Sequence, residues 1–399
     1  MRKLFLSIIA LTLGIGAWAQ ETQSVNYIDA DGQQKTATAT VVTNETTTLS
    51  GWNVVLGNDV QTGTLTCCDG DVHLILADGA KLTATGGDRE AGINVSGEGN
   101  SLTIYGQASQ SGQLRAIGGD RGAGIGGGFQ GSGSNITIYG GLVNATGGEY
   151  GGAGIGGGYH GSGSNITING GKITANGGSY GAGIGGGWDC SGSNITINGG
   201  TVTANGGSRG AGIGGGDEGS GSNITINGGI VTAVSGELAA SIGGGFKGAG
   251  SNIKVSADCK VFADGNDPPT TEIAHDSDTD LAPALSACYA FIEIDQTILS
   301  ELRAEAIAAI DEVIEGVANA EILAIAREAK NKIMNANGRM AITGIKDAAL
   351  AELGIAVRWY NSILGPLGEE HPGPAVKVTK GDTEVILYLP DKVEYIIRK

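Results

Sequence analysis

Through the middle of the chain, apolar side chains come in pairs spaced i, i+2, and the pairs themselves recur. Ala123/Ile125, Ile136/Ile138 and Val143/Ala145 are followed by Ala153/Ile155, Ile166/Ile168 and Ile173/Ala175, then by Ala182/Ile184, Ile195/Ile197 and Val202/Ala204. That spacing belongs to a strand with one buried face. The marker isoleucines Ile125, Ile155, Ile184, Ile213 and Ile242 are 30, 29, 29 and 29 residues apart, with Ile93 standing 32 residues earlier. Each unit reads approximately GAGIGGG, a short loop, GSNITI, a Gly or Asn turn, then VTANGG. Three short strands per coil, separated by glycine turns, predict an all-β solenoid, a parallel β-helix in which each strand pairs with its equivalent in the next coil. A single coil buries too little to stand alone, whereas stacked coils share one continuous core.

Decayed copies extend the pattern both ways. Leu74/Leu76, Leu82/Ala84, Leu102/Ile104 and Leu114/Ala116 fit before the clear repeats, and Ile253/Val255 and Val261/Ala263 close the series. The coils are therefore expected over residues 54–265, roughly seven of them, in a rod of roughly 35 Å at ~4.8 Å per coil. Like residues should stack on like, so Asn135, Asn165, Asn194, Asn223 and Asn252 are expected to form an amide ladder. Residues 20–53, rich in Thr and Val, read as an N-terminal β cap over the first coil.

The pattern changes after the coils. Residues 266–285 carry Pro268-Pro269 and the acidic run Asp276, Asp278, Asp280, and read as a linker. Three helical stripes follow within 286–356: Leu299, Leu302, Ile307, Ile310 and Ile314, ended by Gly316; Ile322, Ile325, Ala329 and Ile333, started by Asn319 as N-cap; and Ile342, Ile345, Ala349 and Leu353. In 357–399, Val376–Thr379 and Glu384–Leu389 flank Lys380-Gly381-Asp382 as a C-terminal β-hairpin. At the other end, Arg2 and Lys3 precede an apolar run to Trp18, and Ala17-Trp18-Ala19 offers small residues to a signal peptidase. Residues 1–19 thus read as a cleavable signal peptide cut after Ala19, and the protein is expected to be secreted, periplasmic or on the cell surface. No later stretch is apolar enough for a membrane span.

Composition sharpens this picture. The chain has 74 glycines and 7 prolines, without the strict third-position glycine of collagen, so the repeat accounts for the glycine. The net charge of −17 repels phosphate backbones and argues against nucleic acid. The five cysteines, Cys67, Cys68, Cys190, Cys259 and Cys288, show no Cys-x-x-Cys pair, and the four histidines are scattered. No metal site is expected, and no cofactor.

GAGIGGG and GSGSNITINGG, preceded by DVHLILADGAKLTATGG, resemble the glycine-rich β-helix repeats of secreted and cell-surface proteins of gut bacteria, a group described as carbohydrate-binding-like. The resemblance covers about residues 50–265 and implies a surface role with a glycan partner. The Ala19–Gln20 junction is similar to signal peptides of Bacteroidota, and the three helices are similar to spacer modules of bacterial adhesins, which implies a partner protein for that module.

No catalytic residue stands out. Gly122-x-Gly124-x-x-Gly127 formally matches a dinucleotide fingerprint, yet it recurs in successive coils and no helix follows it. The calcium-binding nonapeptide needs an aspartate that GAGIGGG lacks. Polysaccharide lyases and glycosidases use clustered carboxylates, whereas the strands here expose Thr, Asn and Lys, and acidic residues stand singly at corners. Two surface columns do stand out. Phe129, Tyr159, Trp188, Asp217 and Phe246 follow successive GGG runs, with His160 and Asp189 beside them, and Arg89, Arg121, Tyr150, Tyr180 and Arg209 sit at another corner. The expected ligand site is a sugar-stacking stripe of Phe129, Tyr159, His160, Trp188, Asp189 and Phe246. The alternatives are a purely structural spacer, in which the aromatics only cover the turn, and an enzyme.

Overall fold

The computed structural model describes residues 21–317, 319–336, 339–364, 375–380 and 383–388. The expected signal peptide and the Gly381-Asp382 turn lie outside the described residues. The expected parallel β-solenoid is present. Face one is a column of two-residue strands, Ile93–Asn94, Ile125–Gly126, Ile155–Gly156, Ile184–Gly185, Ile213–Gly214 and Ile242–Gly243. Face two stacks Ser101–Gly106, Gly133–Ile138, Gly163–Ile168, Gly192–Ile197, Gly221–Ile226 and Gly250–Val255. Face three stacks Lys81–Thr85, Gln113–Ile117, Leu142–Thr146, Lys172–Asn176, Thr201–Asn205 and Ile230–Val234. The register is like over like: Ile136 pairs with Ile166, Ile166 with Ile195, Ile195 with Ile224. Every one of these isoleucines is fully buried.

Glycine serves the coils in a way that turn chemistry alone does not describe. Gly126, Gly156, Gly185 and Gly214 do adopt positive φ, from +132° to +139°. Gly127, by contrast, has no such φ, yet a Cβ there would lie 1.8 Å from the Gly131 carbonyl oxygen. The dense glycine allows backbone to approach backbone at the corners, and any side chain would push the coils apart. The amide ladder is also present, with Nδ2 of Asn165, Asn194, Asn223 and Asn252 donating to Oδ1 of the preceding asparagine at 3.2, 3.3, 3.1 and 2.7 Å. These asparagines are exposed and sit at φ of +52° to +58°, a conformation that asparagine tolerates better than most residues.

Both ends differ from the expected boundaries. Thr22–Ile28 and Gln34–Val41 form an antiparallel hairpin, and Thr48–Val55 already pairs in parallel with Leu65–Leu76 as a strand of the solenoid. The hairpin is an arm lying on face two: Tyr27 packs on Trp52 and Tyr105 at 4.8 Å each, and Gln107 Nε2 donates to the Asn26 carbonyl at 2.7 Å. At the other end, the stretch read as a linker is a cap. A strand within the expected helical segment, Tyr289–Ile294, runs antiparallel between Ile230–Val234 and Cys259–Asp264, so Val261 and Ala263 do not stack directly on the last regular coil. Asp280 accepts the N–H groups of Asn252 and Ile253, both at 2.9 Å, and the Leu281 N–H reaches the Ile253 carbonyl. Ser241 donates through N–H to the Ala287 carbonyl and through Oγ to the Leu285 carbonyl. The reason is physical: a solenoid that simply stopped would leave open strand edges, which invite pairing with other chains.

Three helices follow, α1 (Gln296–Val313), α2 (Ala320–Asn335) and α3 (Arg339–Leu364). Asp295 caps α1 and Asn319 caps α2, and Gly316 takes φ +74° beyond the end of α1. Their own core includes Leu299, Ile310, Ile322, Ile333, Ile342 and Leu353, and Ile294 of the closing strand joins it. Arg339 clasps Asp258 of the cap at 2.5 and 2.8 Å, which holds that carboxyl below the usual carboxylate range. Ala375–Lys380 pairs antiparallel with Thr383–Tyr388. Among the described residues, no helix is long and apolar enough to cross a membrane.

Candidate functional site

The face-one strands are only two residues long, so the corners on either side of them abut. The N–H groups of Phe129, Tyr159, Trp188, Asp217 and Phe246 donate to the carbonyls of Arg89, Arg121, Gly151, Tyr180 and Arg209, at 2.7 to 2.9 Å. Each side chain of the aromatic column is therefore matched to one partner from the neighbouring corner, and the pairs are complementary in size and charge. Arg89 and Arg121 lie over Phe129, and Arg121 also lies over Tyr159, at 5.1 to 5.4 Å. Trp188 is matched to a glycine, because a Cβ on Gly151 would come 3.0 Å from the Trp188 Cβ.

In-register rings at coil spacing must lie against one another, and they do, one pair stacked and one tilted. Phe129 and Tyr159 have centroids 5.6 Å apart and 27° between planes, and Tyr159 and Trp188 are 4.6 Å apart at 59°. His160 lies on Trp188 at 4.9 Å and 24°, and its Nδ1 is 3.9 Å from Asp189 Oδ2. Phe129, Tyr159, His160, Trp188 and Asp189 thus form one cluster. Phe246 is apart from it, with Arg209 and Lys247 over its ring at 5.1 and 4.9 Å. His160 and Asp189 both have positive φ, 56° and 58°, which turns their side chains outward at the corner. The expected flat platform of several rings is not what this geometry provides. Neighbouring rings and guanidinium groups lie over much of the ring surface, and the aromatics are only half-exposed.

The stack ends at Trp188 for a definite reason. The next residue in the column is Asp217, which is 3% exposed and too short to continue it. Its Oδ2 is 3.4 Å from Arg209 Nη1, and its buried Oδ1 has no protein donor among the described residues. Tyr180 borders the C-terminal side of Trp188 at 5.8 Å and 40°, and Arg209 lies over Tyr180 at 5.8 Å. Between Trp188 and Phe246, Arg209 thus covers Asp217 and reaches over the rings of both Tyr180 and Phe246. The break in the column was visible in the sequence, but Arg209 and Tyr180 as its neighbours were not, because they belong to the other corner.

A second aromatic cluster escaped the sequence reading. Tyr27, Trp52, His73, Tyr105 and Tyr139 form a continuous pile on face two, with Trp52 on His73 at 4.2 Å and Tyr105 on Tyr139 at 5.4 Å. Burial pushes the Tyr105 hydroxyl up to about 12 and lowers the His73 imidazole. The only signal for it was an aromatic just past the second strand pair, in Tyr105 and Tyr139, where later coils place Asn169 and Asn198. All five cysteines are free thiols, and no group of three or more metal-ligating side chains occurs among the described residues.

A β helix repeat family matches residues 136–159, 166–188, 195–217 and 224–246, four successive coils that include the Tyr159, Trp188, Asp217 and Phe246 corner. No curated protein and no solved structure matches the chain.

Proposed function

We propose that this β-helix repeat protein is exported and non-catalytic, and that it binds a neutral glycan in a shallow surface slot beside Trp188. The observation that carries this reading is the end of the ring stack: Asp217 stands in place of the next ring, and the half-buried Trp188 is bordered on that side by Tyr180. An indole face stacks on the apolar C–H face of a pyranose, while His160, Asp189 and Arg209 lie within reach of its hydroxyls. A slot this shallow excludes little water, so dissociation constants nearer ~1 mM than ~1 μM are expected. Adhesion to a polysaccharide surface would then depend on many weak contacts.

A structural reading is favoured by one observation, the mutual filling of ring faces by rings and arginines, which makes the corner its own cover. Trp188→Leu separates the two, because leucine still covers the turn but offers no flat face. The glycan reading expects wild-type protein to be retarded in affinity electrophoresis and Trp188→Leu to migrate freely, with unfolding midpoints within a few degrees. A wild type that no glycan retards, paired with a sharply lowered midpoint in the variant, would leave only the spacer.

A further inference from the structure

A concave site lies elsewhere on the solenoid, at the turns that follow the face-two strands. The tip of the N-terminal arm, Ile28–Gly32, reaches along the rod until a Cβ on Gly32 would touch Ile345 of α3 at 4.0 Å. Beneath this bridge, the turns after the second strand of three successive coils form the floor of a trough of about 640 Å³. That volume falls within the ~300–1,000 Å³ of sites that enclose small molecules.

The lining defines the ligand chemistry. Asn169 and Asn198 belong to an amide ladder in which Asn227 donates to Asn198 and Asn198 to Asn169, each at 2.7 Å. All donors point one way, so the ladder ends at Asn169 with an Nδ2 that has no protein acceptor among the described residues. Beside it stands Tyr139, the last ring of the face-two pile. The arm contributes Asp29 and Asp31 as acceptors, and α3 contributes the apolar Ile345.

Charged ligands fit poorly. No lysine or arginine lines the trough, and Asp29 and Asp31 would repel a phosphate or sulfate. A cation would find Asp29 engaged, since Oδ1 accepts the Asp31 and Gln33 N–H groups and Oδ2 is 3.7 Å from Lys35. What remains is a cleft that accepts hydrogen bonds on one wall, donates them from the floor and offers an aromatic and an aliphatic surface. We propose that this trough is a second binding site, independent of the Trp188 slot, for a neutral polyhydroxylated ligand of one or two sugar rings.

The test uses the full chain without its leader, titrated by saturation-transfer NMR with glucose, galactose, xylose, N-acetylglucosamine and cellobiose, and with inorganic phosphate and calcium. Saturable binding of at least one sugar is expected, weakened about tenfold or more by Asn198→Leu and by Ile345→Trp, which fills the trough from the helix side. The titrations and both variants are made in a Trp188→Leu background, so that only sugar held away from the Trp188 corner is read. Asn198→Leu could disturb the ladder, so Ile345→Trp, judged only with an unchanged unfolding midpoint, carries the test alone if the first variant misfolds. The proposal is overturned if no sugar in the panel saturates in the Trp188→Leu background, if phosphate or calcium binds instead, or if Ile345→Trp leaves the sugar binding unchanged.

Discussion

Replacing Ile292 by alanine removes the central side chain of the strand that closes the solenoid. Ile292 is fully buried, in register with Val231 on one side and Val261 on the other. Truncating a buried isoleucine costs about 2–5 kcal/mol once the cavity is included. In a stack where each coil touches only its neighbours, that cost should fall on the end of the rod rather than on the whole. Hydrogen exchange read by mass spectrometry should therefore show faster exchange at Ile230–Val234 and Cys259–Asp264. The expected acceleration is on the order of 30- to 3,000-fold, since each 1.4 kcal/mol is a factor of ten. Gly163–Ile168, in the middle of the rod, should exchange as in the wild type. Uniform acceleration along the rod would refute the nearest-neighbour reasoning, and no change at Cys259–Asp264 would refute the role of the strand as a closure.

Other predictions follow from the same packing. A chain ending at Gly265 loses the cap and should self-associate on size exclusion, whereas one ending at Asp295 should remain monomeric; a monomeric Gly265 chain would mean the edges need no cover. Gly156→Ala places a Cβ 2.1 Å from the Gly185 carbonyl oxygen at φ +132°, and should unfold well below wild type in calorimetry, while Gly265→Ala, with open space around it, should not. Asp258 titrates below its unfolded value because Arg339 holds its charged form, so its contribution is present above the unfolded pKa near ~3.9 and lost as pH falls through the folded one. Arg339 is half-exposed, so that contribution is under about 1 kcal/mol, and Asp258→Asn should flatten the acid limb of a stability–pH curve by no more.

The coils were legible because a repeat states its rule many times: Ile125, Ile155, Ile184, Ile213 and Ile242 place face one without any structure. The cap was not legible because it occurs once. Ala290, Ile292 and Ile294 do alternate as a strand should, but the helix begins at once after Asp295, and the acidic run before them reads as a linker. In the fold those acids build turns: Asp264 accepts N–H groups from Asn266, Thr270 and Thr271, which draws its carboxyl far down, and Asp280 closes a strand edge. At the corner, the sequence supplied the column of rings but not their orientation. Orientation follows from coil spacing, which forces Phe129 against Tyr159 and Tyr159 against Trp188. The trough could not be read at all, because Asp31, Asn198 and Ile345 come from three elements that meet only in the folded chain.

The central claim is that the solenoid binds glycans and does not process them. The most direct measurement is a glycan array probed with the leaderless chain and with Trp188→Leu, with reducing-end and unsaturated-product assays run on every glycan retained. The account predicts weak retention of neutral polysaccharides, loss of the Trp188-dependent part in the variant, and no release of products. An array without a single retained glycan, or a retained glycan that is cut, would contradict it.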